Sequence, residues 1–68
     1  MPRGNIKWFD NKKGYGFITI EGMEDIFVHY SNIEGTGFKT LQDGEDVECE
    51  VHEGTKGLYA DNVRRVEA

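Results

Sequence analysis

The stretch KKGYGFITIEGMEDIFVHY, residues 12–30, constrains the fold more than any other part of the chain. Read as two strands joined by a turn at residues 21–24, it sends alternate side chains to opposite sides of a sheet. The even positions Gly16, Ile18, Ile20, Ile26 and Val28 form an aliphatic face suited to a core. The odd positions Tyr15, Phe17, Phe27 and His29, with Thr19 and Asp25 beside them, form an aromatic face flanked by Lys12 and Lys13. A chain of 68 residues has room for one domain, residues 1–68, and one core. A core under the even face leaves nothing to cover the odd one, and clustered exposed apolar surface usually marks a binding site.

The same alternation extends in both directions. GNIKWFD, residues 4–10, reads as a strand with Ile6 inward. Because Trp8 and Phe9 are neighbours, simple alternation separates them, and a bend or bulge is expected to bring Trp8 round to the aromatic side. Residues 11–14 read as a turn, and Gly22 sits where the next turn calls for positive φ. Residues 31–41 have no helical period and read as a long connection, with Ile33 and Leu41 anchored in the core. Residues 45–52 alternate cleanly, Val47, Cys49 and Val51 inward against Asp46, Glu48, Glu50 and His52 outward. Residues 58–66 read as a fifth strand with the irregular apolar set Ala60, Val63 and Val66. Five short strands with glycine-marked turns and no helical segment predict an all-β fold, a five-stranded antiparallel barrel. Closure also removes the edges that invite aggregation.

Charge is distributed unevenly. The net charge is −5, yet residues 1–15 carry Arg3, Lys7, Lys12 and Lys13 against Asp10 alone. Residues 21–50 carry nine acids against Lys39. Acid beyond the Debye length, about 8 Å at physiological salt, is largely screened, so the global sign lowers affinity for a polyanion without forbidding it. Cys49 alone cannot make an intrachain disulfide and reads as a buried structural thiol. No apolar run approaches the roughly 18 residues that span a bilayer, and the N-terminal stretch lacks a signal peptide's apolar segment. The expected location is the cytoplasm. His29 and His52 have no partner at metal-ligand spacing, so neither metal nor cofactor is expected.

Exposed aromatic rings among lysines suit single-stranded nucleic acid. Every base offers a π-face, stacking contributes roughly 1–3 kcal/mol per base, and nearby lysines meet phosphates. Gly14 and Gly16 keep the aliphatic face thin and permit close approach of neighbouring rings. Duplex DNA fits poorly, because its bases are already stacked and its groove readers are usually helices. KGYGFI also nearly matches the aromatic motif of RNA-recognition-motif domains, but the two helices of that fold are missing from the pattern.

KWFDNKKGYGFI, DIFVHYSNI and GFKTL (residues 7–18, 25–33 and 37–41) closely resemble the bacterial cold shock proteins over essentially the whole chain. The resemblance implies an OB-type barrel that binds single-stranded RNA and DNA, often pyrimidine-rich, and acts as an RNA chaperone. It implies binding roles for Lys7, Trp8, Lys13, Tyr15, Phe17, Asp25, Phe27, His29, Tyr30 and Phe38, with Phe9, Lys39 and Lys56 as additions. Trp8, Phe17, Phe27, His29 and Phe38 would stack on bases, the lysines would meet phosphate or base edges, and Asp25 would accept from a base. Tyr15 and Tyr30 stand where members often have Phe. Residues 57–63, GLYADNV, depart further: the family usually has a Pro-Gln pair and a second alanine there, which leaves Tyr59 open between stacking and packing.

Two other function classes compete with this one. Asp25, His29 and Ser31 share strand parity, but Ser31 is the one serine and reads as a turn residue, and no nucleophile elbow, dinucleotide or P-loop motif occurs. The chain is therefore not expected to be an enzyme. A protein- or oligosaccharide-binding OB module would use the same rings without needing the lysines, and salt dependence separates the two. A monomer is expected, with Arg3 and Glu67 as a weak surface pair.

Overall fold

The structure, a computed structural model, describes residues 1–34 and 41–66. The strands are β1 (Arg3–Asp10), β2 (Tyr15–Thr19), β3 (Ile26–His29), β4 (Asp46–Gly54) and β5 (Gly57–Arg65), with one 3-10 turn, Tyr30–Asn32, after β3. That turn is the one helical element among the described residues; it begins at Tyr30, expected to end the third strand, and runs into the expected connection, residues 31–41.

The strands close into a barrel in the order β1-β2-β3-β5-β4. Four seams are antiparallel, but β3 and β5 run parallel, with Phe27 opposite Tyr59. The expected five-stranded barrel is there, with this one seam parallel rather than antiparallel, and the reason is parity. Directions alternating around a closed ring need an even number of strands, so a ring of five must contain a parallel seam. The seam continues past the 3-10 turn, where Ile33 bridges Val63 and the Glu34 N–H donates to the Val63 carbonyl at 2.7 Å.

The even face of the β2–β3 hairpin lies inside: Ile18, Ile26 and Val28 are fully buried, and Ile20 packs against the core. Ile6 and Phe9 of β1 join them although they are three residues apart. The pairing shifts between Ile6, opposite Ile18, and Trp8, opposite Phe17, so Lys7 is the extra residue of a bulge. Beyond it Trp8 faces outward and Phe9 inward, opposite Gly16. The expected bulge is there.

Val47 and Cys49 are fully buried from β4, and burial pushes the Cys49 thiol above its ordinary range, consistent with a structural role. The irregular β5 has a local cause: Asn62 adopts φ +49°, a conformation asparagine tolerates better than most residues. The kink lets Ala60 and Val63, three apart, both point inward. Gly22 has φ +82°, as its turn demanded. Arg3 meets Glu48 at 3.3 Å; Glu67, its expected partner, lies outside the described residues.

Candidate nucleic-acid interface

The odd face of the hairpin is open. Trp8 from β1, Tyr15 and Phe17 from β2 and Phe27 from β3 form a ring of rings, each touching two others. Centroids lie 5.8 Å apart for Trp8 and Tyr15, 5.5 Å for Trp8 and Phe17, 5.9 Å for Tyr15 and Phe27, and 5.8 Å for Phe17 and Phe27. Strand register produces this arrangement, because Trp8 pairs with Phe17 and Phe17 with Phe27 across adjacent strands. Trp8–Tyr15 and Phe17–Phe27 meet edge to face, Trp8–Phe17 is tilted and Tyr15–Phe27 stacked, and contacts at such distances hold aromatic side chains in place. Trp8 and Phe27 each keep 37% of their surface exposed, too much for core residues of their size.

At the end of β3 the aromatic strip turns the corner. The His29 ring lies 4.5 Å from that of Tyr30, which is about half exposed. Nδ1 of His29 accepts from the Ser31 backbone N–H at 3.3 Å and lies 2.8 Å from the Ser31 hydroxyl. In that tautomer the ring proton sits on Nε2. Tyr30 lies over Gly14, whose φ is +77° and where an added Cβ would come within 2.6 Å of the tyrosine ring. Thus Ser31 orients the histidine, and Gly14 makes room for the tyrosine.

The charged groups are fixed by simple contacts. Lys7, displaced outward by the bulge, places Nζ 2.8 Å from Asp25 Oδ2. Both side chains are about half exposed, so the pair is worth only about 0–1 kcal/mol, and a ligand can compete for either partner. Lys13 lies in the turn capped by Asp10, whose Oδ1 accepts the backbone N–H groups of Lys12 at 2.9 Å and Lys13 at 3.0 Å. The hydrogen bond from Lys13 first, then that from Lys12 and the two ammonium charges, hold the Asp10 carboxyl below its ordinary value of 3.8, against the opposing effect of desolvation.

A depressed folded-state pKa stabilises the fold above the unfolded value, and that stabilisation is lost as pH falls through the folded one. Asp10→Asn keeps an acceptor oxygen but cannot titrate. The melting-temperature gap between wild type and Asp10→Asn is therefore expected to shrink as the pH falls below about 3.8. A gap that stays constant down to about pH 2 would show that the turn does not depend on the ionised carboxylate.

Not every residue expected in the site lies on this face. Phe9 is 8% exposed and belongs to the core, because the bulge that turns Trp8 outward turns Phe9 inward. Its expected binding role is corrected to a packing one. Phe38 and Lys39 lie outside the described residues. Lys56 is exposed at the tip between β4 and β5, beside a groove that Phe17, Asp25, Phe27 and Tyr59 also line.

The structure adds one neighbouring pair. Tyr59 is 38% exposed and stacks on His52 with centroids 5.4 Å apart and planes 25° apart. The outward parity of His52 was readable in the sequence, but the approach of Tyr59 to Phe27 required the β3–β5 register. On the same strand, Asp61 Oδ1 accepts the Asn62 backbone N–H at 2.9 Å. No group of three or more potential metal ligands occurs among the described residues, and no helix among them is long and apolar enough to cross a membrane.

Comparison with known proteins gives the same reading of the fold. The family of the 'Cold-shock' DNA-binding domain matches residues 2–66. The chain is 54% identical over 63 residues to cold shock protein CspB of Bacillus caldolyticus, covering 93% of this chain and 96% of that protein. It is 58% identical over 65 residues to a cold shock-like protein of Thermotoga maritima, covering 96% and 98% respectively. The solved structure of drosophila Unr CSD456 superposes with a TM-score of 0.78 at 21% identity over 97% of this chain and 26% of that one, a likeness of fold. With its closed five-stranded barrel, its exposed aromatic face and this match over nearly every residue, the chain belongs to the cold-shock domain family.

Proposed function

We propose that the 68 residues act as one monomeric domain in the cytoplasm that binds single-stranded RNA and DNA, favouring pyrimidine-rich strands. It would serve as an RNA chaperone that influences transcription and translation. The observation that carries this reading is the array of Trp8, Tyr15, Phe17 and Phe27, uncovered on one side of the barrel and set among lysines. An array of fixed rings is sequence-tolerant because it addresses the faces of bases rather than their edges. Bases in a duplex are not free to stack on it, so binding a strand while it is open opposes re-pairing. That is chaperone action by mass action alone, without a catalytic step or a cofactor.

His29 and Tyr30 extend the platform, Asp25 accepts from a base edge once Lys7 has turned to a phosphate, and Lys13, Lys39 and Lys56 supply further positive charge. Pyrimidine preference follows from the close spacing of the rings, since smaller bases and more flexible strands conform to neighbouring platforms more readily.

Trp8 supplies the probe. Its fluorescence is expected to be quenched by oligo-dT, less by oligo-dA, and little by a duplex of equal length. The logarithm of affinity should fall with the logarithm of salt concentration with a slope of roughly −1.4 to −2.8, the equivalent of two to four phosphate contacts. Quenching that ignores salt would favour an uncharged ligand such as an oligosaccharide. No quenching by any strand would remove the aromatic face from nucleic-acid binding.

A further inference from the structure

We propose that Tyr59, backed by His52 and flanked by Lys56, forms an additional base-stacking station across the β3–β5 seam and lengthens the bound strand by about one nucleotide. This rests on the single-strand reading above and adds a position to it.

The parallel register places Tyr59 opposite Phe27, on the strand next to the aromatic array. Among the described residues, however, no ring contact joins the two. Tyr59 stacks on His52, while Phe27 belongs with Tyr15 and Phe17. Between the two clusters lies a groove lined by Phe17, Phe27 and Tyr59, with Lys56 at one side. Two exposed aromatic groups facing a common groove without touching leave space for a planar ligand, and a base continuing the strand from the Phe27 platform is such a ligand.

The local sequence holds Tyr59 in position. Gly54 lies beneath its ring: an added Cβ there would stand 3.1 Å from Cδ1 and 3.3 Å from Cε1. Pairing of His52 with Tyr59 across the β4–β5 hairpin brings their rings together. His52 is itself held by Glu50, with Nε2 3.4 Å from Oε1. Tyr59 is therefore supported on one side by a stacked imidazole and over Gly54, a preorganised platform rather than a swinging side chain.

Charge selects the ligand. Glu24 and Asp25 also line the groove, so it does not attract anions uniformly, and among the described residues Lys56 is the cation lining it. That pattern suits a base in the groove with its phosphate directed toward Lys56, and it disfavours a free anion.

The test compares wild type, Tyr59→Ala and Tyr59→Phe in Trp8 quenching titrations with an oligo-dT ladder, lengthened one nucleotide at a time. Wild type should gain affinity at the step that reaches Tyr59, and Tyr59→Ala should lose that gain, a deficit of about fivefold to a hundredfold confined to the longer strands. Tyr59→Phe should keep it, because stacking does not need the hydroxyl. The short strands should bind all three proteins alike, which also shows that the barrel and the main platform are intact. Equal binding of wild type and Tyr59→Ala at every length would overturn the station and leave the main interface standing. A uniform loss at all lengths, shared by Tyr59→Phe, would assign the side chain to packing and also overturn it. Failure of wild type to bind any strand would overturn both readings.

Discussion

Replacing Phe17 and Phe27 together by alanine is expected to weaken oligo-dT binding by about 2–6 kcal/mol, the loss of two stacking platforms. The two rings are cross-strand partners, 5.8 Å apart at the centre of the array, and each touches a second ring as well. Because the rings support one another, the losses need not add, and each single variant is part of the measurement. Removing Phe17 frees Trp8 on one side, and removing Phe27 frees Tyr15, so the double variant loses two platforms and loosens two more. The barrel should survive, since both side chains lie on its outer face and neither belongs to the buried cluster. Far-ultraviolet circular dichroism and a thermal melt establish the fold, and titration below the melting transition gives the affinity. A folded double variant that binds within a factor of about three of wild type would remove the array from the interface.

The aromatic face was legible early because it follows from alternation, a local property of the backbone. The bulge was legible too: two adjacent large aromatics in WFD cannot both obey a period of two. Its consequence for Phe9 was harder to read, because one inserted residue, Lys7, decides which neighbour goes inward, and that register depends on the partner strand. Features that depend on strands distant in sequence stayed hidden. The parallel seam is an arithmetic consequence of closing five strands, yet the strand pairs that the sequence joins by short turns are hairpins, and hairpins are antiparallel. The Lys7–Asp25 pair joins groups 18 residues apart that the sequence presents only as separate ligand contacts. Tyr59 remained open for the same reason, since its neighbours Phe27 and His52 are fixed only once β5 has a place in the ring. Asn62 illustrates a different limit: one left-handed residue breaks the alternation of β5, and its effect on Ala60 and Val63 cannot be read from hydrophobicity.

Gly16→Ala is expected to have the largest effect on stability, although it adds a single methyl group to a residue within β2. The obstacle is space rather than backbone conformation, since Gly16 does not have positive φ. An added Cβ would lie 2.2 Å from the Trp8 carbonyl oxygen, 2.7 Å from the Phe9 Cα and 2.9 Å from Phe9 Cδ2. Two of these neighbours are backbone atoms of β1, so rotating a side chain cannot relieve the clash. The strand itself must move, just beyond the bulge that sends Trp8 outward and Phe9 inward. Overpacking of this kind costs about 3 kcal/mol or more. A domain of 68 residues has only roughly 3–10 kcal/mol to lose. The melting temperature should fall by about 12 °C or more, or the chain should fail to fold. Gly22→Ala provides the comparison, because Gly22 has positive φ but open space around it, and should cost only about 1–2 kcal/mol. If Gly16→Ala melts no lower than Gly22→Ala, the close approach of β1 to β2 is not a constraint on the barrel. If it folds but melts far lower, weaker quenching of Trp8 by oligo-dT should accompany the loss, because the atom the methyl group displaces first is the carbonyl of Trp8 itself. The glycine that keeps the inner face thin would then also be the residue that sets the ring of Trp8 in place.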